Sequence, residues 1–289
     1  MHSFLRSIGF KDINQRQFDD FYQSTKKNPD NIISMIDPEG YQFCEYQKEV
    51  VPGIGIAFRG IIDEDGQFIK EYYFPYRKAM QISTKEDVEL VKESDKESYM
   101  GVCDDIRLGV DLVFHIQDMI ELLKYEDPKT KYINKGGVVL SALALDGMVL
   151  LPVVSKKPEM VIQRKKHRRK LISDAREGNQ KAFEELSLND IDIYSKISKR
   201  IDHEDVYSIV LTSFMPSGIE NDKYQIIGDI VEVEEIINTY TMQKMYVLTV
   251  SCNDMLFDVC INEVDLLGEP KKGRRFKGKI WMQGRVTGR

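Results

Sequence analysis

The side chains that could carry chemistry are few and scattered. Histidines stand at 2, 115, 167 and 203, and cysteines at 44, 103, 252 and 260. No H-E-x-x-H, no C-x-x-C and no other zinc spacing joins them, so neither a metalloprotease helix nor a zinc site has its motif. His115 could act as a base on Cys103, or work beside Asp104 and Asp105, only if folding gathers them, and a histidine on the outer face of a strand is ordinarily structural or solvated. Asp104, Asp105 and Asp111 are the residue type of a metal-dependent hydrolase site, without spacing that fixes a geometry. Asp63-Glu64-Asp65 offers too few ligands in its short turn for calcium and reads as a hairpin tip. The stretch PGIGIAFRG (52–60) has the glycines of a phosphate loop but lacks the Gly-Lys-Ser/Thr ending and runs into a strand, so its glycines are read as turns or close packing. No serine occupies a G-x-S-x-G elbow. No catalytic residue, metal ligand or cofactor is therefore assigned.

Charge is more informative. The chain has 289 residues and a net charge of −6, yet residues 270–289 hold eight Lys and Arg and no acid, and residues 164–170 read RKKHRRK. In GRRFKGKIWMQGR (273–285), strand alternation puts Phe276, Gly278, Ile280 and Met282 on one face and Arg275, Lys277, Lys279, Trp281, Gln283 and Arg285 on the other. Cations beside a large ring are what single-strand nucleic-acid surfaces use, the cations tracking phosphates and the ring offering a stacking face. The structural reading of the same row is that its cations discourage edge aggregation and that Trp281 buries its ring against the connector or the first domain; one aromatic is thin support for a stacking platform. RKKHRRK lies within a helix, where consecutive cations splay around the circumference and cannot form one face.

The elements that must position these residues follow from periodicity. Residues 14–25 form an amphipathic helix capped by Asn14, with Phe18, Phe21 and Tyr22 inward. GYQFCEYQ, GIGIAFRGII and QFIKEYYF are strands, the last two joined at Asp63–Gly66. Residues 83–94 are predicted as a helix capped by Thr84, residues 106–116 as one long one-sided strand, and residues 138–154 as a hairpin about Asp146-Gly147. From Pro158 to about His203 the period is helical, with Gly178 as a stop, and residues 206–289 return to five strands. The expected fold is α+β in three parts: residues 1–155, with a mostly antiparallel sheet; a basic helical connector, 156–205; and a small C-terminal β-barrel, 206–289, OB-like with an SH3-like barrel as second choice.

No apolar run reaches the ~18–20 residues of a membrane span, and the start MHSFLRSIGF lacks a secretion signal, so the cytoplasm is expected and the thiols are expected to be reduced and buried. The segments MHSFLRSIGF, REGNQKAFEELSLNDIDIYSKISKRI, EDVYSIVLTSFMPSGIENDKY and INEVDLLGEPKKGRRFKGKIWMQGRV resemble an uncharacterised family of clostridial-type bacterial proteins of unknown function. The resemblance spans nearly the whole chain. It implies a bacterial cytoplasmic protein and transfers no catalytic residue. The functional expectation is a non-enzymatic binding or accessory protein whose barrel meets nucleic acid, another polyanion or a protein through Arg275, Lys277, Lys279, Trp281 and Arg285. The alternatives are a hydrolase or nucleic-acid-processing enzyme with its site in the interdomain cleft, and a homo-oligomer in which the basic barrel docks on the acidic first domain of another copy.

Overall fold

The computed structural model of the protein describes residues 1–36, 40–92, 98–125, 136–153, 158–201, 207 and 210–287. Its helices are α1 (Gln15–Lys27), α2 (Met119–Tyr125), α3 (Pro158–Arg176) and α4 (Gln180–Ile201), and a 3-10 turn covers Ser3–Ile8. Its strands are β1 (Asn31–Ile36), β2 (Gln42–Val51), β3 (Ile54–Ile62), β4 (Phe68–Arg77), β5 (Glu89–Lys92), β6 (Tyr99–Asp104), β7 (Asp111–Ile116), β8 (Gly137–Leu150), β9 (Ser213–Pro216), β10 (Lys223–Ile237), β11 (Lys244–Cys252), β12 (Met255–Asn262), β13 (Leu266–Leu267) and β14 (Arg275–Thr287).

The Asn14 cap is realised as a reciprocal box: its side chain accepts from the Gln17 N–H at 2.9 Å, and the Gln17 side chain accepts from the Asn14 N–H at 3.0 Å. That start turns Phe18, Phe21 and Thr25 into the core. Strands β1 to β4 form a four-stranded antiparallel meander. Its β3–β4 tip is held by the Asp63 carboxylate, which accepts from the N–H groups of Asp65 and Gln67, so the acidic cluster at 63–65 is a hairpin turn.

The second sheet contains a closed five-strand barrel in the order β8, β12, β11, β10 and β14, completed by pairing of β14 with β8. Four staves come from the C-terminal segment. The fifth, β8, precedes the helical pair in sequence and lies on the near side of residue 155. Strands β7, β6 and β5 extend the sheet beyond β14. Inward residues of the staves, among them Leu140, Tyr224, Leu248, Val259, Phe276 and Met282, belong to one core. Their outward neighbours Leu143, Met245, Val247, Cys260 and Trp281 belong to a second core with α1 and the four-stranded sheet. The N-terminal meander therefore lies over the barrel's outer surface.

Three predicted elements differ. Residues 83–94 are not helical: Thr84 bridges to Val138 and Glu89–Lys92 pair with β6, while residues 93 and 94 lie outside the described residues. Sheet pairing outweighs the modest helical propensity of a stretch carrying Val88 and Val91. Residues 106–110 form the turn of the β6–β7 hairpin, in which the Asp105 carboxylate accepts from the Arg107 backbone and guanidinium and Gly109 takes φ +69°, so only Leu112, Phe114 and Ile116 alternate on a strand, β7. Residues 137–150 form one continuous strand instead of a hairpin. Gly147 is there for space: an added Cβ would come within 2.5 Å of the Phe276 ring in the barrel interior.

The helical pair forms as its signals indicate. Gly178 adopts φ +87° and the Asn179 side chain accepts from the Lys181 and Ala182 N–H groups. Leu171, Ile172, Ala182 and Leu186 bury against one another and Ile106, and ion pairs Arg176–Glu86 and Arg169–Asp254 fasten the pair to the body.

Candidate functional site

The C-terminal row is built on β14, which pairs with β10 over Arg275–Trp281 and with β8 along its whole length. Alternation is as expected, with Phe276, Ile280 and Met282 in the barrel core. The outer residues are not left to solvent together. Arg275 is 4% exposed and donates to the carbonyls of Leu151 (3.0 Å), Val210 (2.7 Å) and Tyr207 (2.7 Å), tying the chain on either side of the helical pair to the barrel. Trp281 is 6% exposed. Its indole N–H donates to the Asp222 carboxylate at 2.6 Å, and its ring lies 5.0 Å from His2, 5.3 Å from Phe4 and 5.2 Å from His115. Burial raises the Asp222 pKa, a shift opposed by the indole hydrogen bond. Arg285 is half-buried and donates to the Ala79 carbonyl at 2.5 Å. Lys277 reaches the Tyr207 hydroxyl and lies 4.4 Å over its ring. Lys279 is exposed, opposite Gln225 and Asp146.

The expected contact set is corrected accordingly. Trp281 and Arg275 cannot meet a ligand without opening the fold, because the N-terminal segment with His2 and Phe4, together with His115 and Asp222, covers the one and backbone carbonyls hold the other. Lys277 and Lys279 remain at the surface, with Arg285 at its margin.

Pairing also builds a second feature, at the junction of the meander and the barrel. One lateral row of outward positions reads Glu232, Thr249, Asp258, Ser141, Gln283 and His115 across β10, β11, β12, β8, β14 and β7. The row passes from exposed Glu232 to fully buried Gln283. Its side chains are knitted to the meander. Arg77 donates to Asp258 at 3.1 Å, and the Arg77 carbonyl accepts from Ser141 at 2.5 Å and from Gln117 at 2.8 Å. Gln117 also donates to Gln283 at 2.8 Å, and Gln283 to the Pro75 carbonyl at 2.8 Å. Each buried amide thereby has its partners, as a polar seam in a dry layer requires. At its open end the seam widens into a cleft of about 360 Å³ lined by Arg77, Met80, Glu232, Glu234, Thr249 and Asp258. None of these six was a candidate from sequence. The available signal was a lone polar residue inside an apolar strand, such as Ser141 in VVLSALAL, but its lateral neighbours depend on inter-strand register, which local periodicity does not contain.

Beneath the seam, Arg59 and Glu45 form a buried ion pair, with Arg59 also donating to the Tyr72 hydroxyl at 2.6 Å and the Gln117 carbonyl at 2.8 Å. Burial works against the guanidinium charge, but Glu45 and Tyr72 outweigh it and hold the Arg59 pKa above its ordinary value.

The remaining candidates resolve into structural roles. Asp104 and Asp111 face one another across the β6–β7 hairpin, while Asp105 binds Arg107 and lies 3.8 Å from Arg176. Among the described residues no three His, Cys, Asp or Glu gather as a metal site. His115 stands edge-on to Phe74 at 4.6 Å. PGIGIAFRG runs into β3, where a Cβ on Gly55 or Gly60 would strike the carbonyl of Lys48 or Ile69. All four cysteines are free and buried, and burial pushes the Cys103, Cys252 and Cys260 thiols up to about 12. On α3, His167 pairs with Glu185 and Arg169 with Asp254, and the side chains of Arg164 and Lys165 lie outside the described residues.

A family model described as "Domain of unknown function, E. rectale Gene description (DUF3881)" matches residues 5–284. The chain belongs to this family. Family membership spans the meander, the helical pair and the barrel together, and it agrees with the resemblance carried by the quoted segments. Neither the search of curated proteins nor that of solved structures found a match. Among the described residues no helix is long and apolar enough to cross a membrane.

Proposed function

We propose that the protein is a non-enzymatic binding or accessory protein of the bacterial cytoplasm, whose barrel engages a protein partner through the outer sector around Lys277 and Lys279. One observation carries this reading: in register, Met215, Gln225, Lys279 and Asp146 form one lateral row, and Ser213, Ile227, Lys277, Met148 and Leu267 the next. Met215, Met148 and Leu267 are 52%, 37% and 65% exposed, so two surface lysines are framed by three open apolar side chains. Apolar contact rimmed by cations suits a protein surface bearing carboxylates. It suits single-stranded nucleic acid poorly, since the ring that would stack is covered. The reading requires no metal and no cofactor.

The test is photo-crosslinking in the native host, with the reactive residue at position 279 and, as control, at Asp65 on the meander tip. A discrete adduct from 279 alone, lost on adding Lys277→Glu and Met148→Glu, supports the reading; equal labelling from both positions refutes it. An enzyme in the interdomain cleft is the second reading, favoured by the convergence of Arg77, Asp258, Glu232 and Glu234 there. Hydrolysis of a phosphodiester or ester panel that disappears in Asp258→Asn would support it.

A further inference from the structure

The four-stranded meander ends on β1, and among the described residues β1 pairs with β2 alone. Its six residues, NIISMI, carry no charge, no proline and no register irregularity, and none of them is buried. Edge strands of monomeric sheets are normally blunted by one of those devices. The opposite edge has them: β4 carries Lys70, Glu71, Pro75 and Arg77.

We propose that β1 is a self-pairing edge that joins two copies of this chain, antiparallel, into one eight-stranded sheet. The sequence of the strand identifies the occupant. Read from Ser34 outward it is a palindrome in chemistry, with Ile33 and Met35 on either side and Ile32 and Ile36 beyond. A dyad through Ser34, perpendicular to the sheet, sets Ile32 of each copy against Ile36 of the other, Ile33 against Met35, and Ser34 against Ser34. Opposed residues differ by an even number, so every pair stays on its own face of the pleat. Ile33 and Met35 already pack on the core that contains α2, and the dyad extends that apolar row into its copy. Ile32 and Ile36, 54% and 73% exposed, are covered on the other face. No charge faces a like charge within the strand. A foreign strand would need apolar groups in the same places on both faces, whereas a second copy has them by construction.

A six-residue edge gives an interface at the small end of the size range, so the dimer is weak and appears as protein concentration rises. It contains no ion pair and should be indifferent to salt. The barrel-on-acidic-domain dimer would instead dissociate in salt.

Sedimentation velocity of the full chain from about 1 to about 500 µM, at about 0.15 and 0.5 M salt, tests the proposal. A monomer–dimer equilibrium of similar strength at both salts is expected. Ile36→Lys, at an exposed position, should weaken it about tenfold or more by placing a charge against Ile32 of the copy. An equimolar mixture of Ile36→Lys with Ile32→Glu should restore association, because those two positions face each other in this register. Circular dichroism melts of both variants should match the parent, separating loss of pairing from loss of fold. A monomer throughout, a dimer indifferent to Ile36→Lys, or a dimer lost at the higher salt would each overturn the proposal. So would a monomer whose β1 edge captures an unrelated apolar peptide.

Discussion

Trp281 is the only tryptophan in the chain, and it reports on the contact between the N-terminal segment and the barrel. A buried aromatic of this kind hides about 150–250 Å², worth about 4–6 kcal/mol at 25 cal/mol per Å², an upper bound because the unfolded chain already covers part of that surface. Truncations of large aromatics in cores cost about 3–5 kcal/mol. Trp281→Ala should fall in that range, with about 1–3 kcal/mol more for leaving the half-buried Asp222 carboxylate without its donor. Since single domains are stable by only about 5–15 kcal/mol, the variant should sit near unfolding at ambient temperature. Trp281→Phe keeps a ring against His2, Phe4 and His115 and loses the N–H, so its cost should be near 1–2 kcal/mol, roughly that of one hydrogen bond to a charged group. Lys277→Ala and Lys279→Ala, at the surface of the same strand, should change stability by about 0.5 kcal/mol or less. Urea titration followed by circular dichroism measures all four. In the parent, native indole emission should resist acrylamide and become quenchable only through the unfolding transition. If native emission is quenched as readily as unfolded emission, or if Trp281→Ala costs under about 1 kcal/mol, the covering of the barrel by the N-terminal segment is wrong.

Other outcomes follow from the same geometry. Burial raises the folded-state pKa of Asp222, so its neutral form favours the fold: that contribution is complete below the ordinary carboxylate range and is lost as pH rises through the raised value. Relative to Asp222→Asn, the parent should lose stability as pH rises from the ordinary carboxylate range through the raised value, as denaturation at a series of pH values would reveal. Glu45→Gln strands the buried Arg59 charge and should cost about 3–5 kcal/mol, while Glu45→Leu with Arg59→Met should cost clearly less, both read from urea midpoints. Any single-stranded DNA binding should rest on Lys277 and Lys279 alone, giving a log–log salt slope no steeper than about −1.4; a slope near −2.8 would bring all four cations of β14 back into contact.

What the sequence could not supply was partnership. Asn14 and Gly178 act within a few residues of themselves, and their cap and stop formed where the residue types demand. The pleat of β14 is equally local, so its inward and outward sets were legible. Which element meets an outward set depends on residues far along the chain. The short-range company of Thr84 suits a helix cap, but its backbone bridges to Val138, more than fifty positions away. Asp146-Gly147 has the residue types of a turn, whereas Gly147 leaves room for a ring from β14.

The covering of Trp281 did leave a trace in the neighbouring staves. A barrel with a wet exterior alternates, yet MYVL in β11 and VVLSALAL in β8 are apolar on successive positions with Ser141 the one polar member, the mark of strands buried on both faces. Leu143, Met245 and Val247 are outward members of those runs, Cys260 is an outward member of β12, and each lies in the core that takes in Trp281. A strand that alternates between cations and apolar groups, set among neighbours that do not alternate, has an outer face in two regimes. The stretch beside those apolar neighbours must be covered, while Lys279 reaches water and Lys277 does so in part. The burial of the indole, the half-burial of Lys277 against Tyr207 and the exposure of Lys279 are therefore consequences of one arrangement, which is why stability of the Trp281 variants and interaction through Lys277 and Lys279 should respond independently.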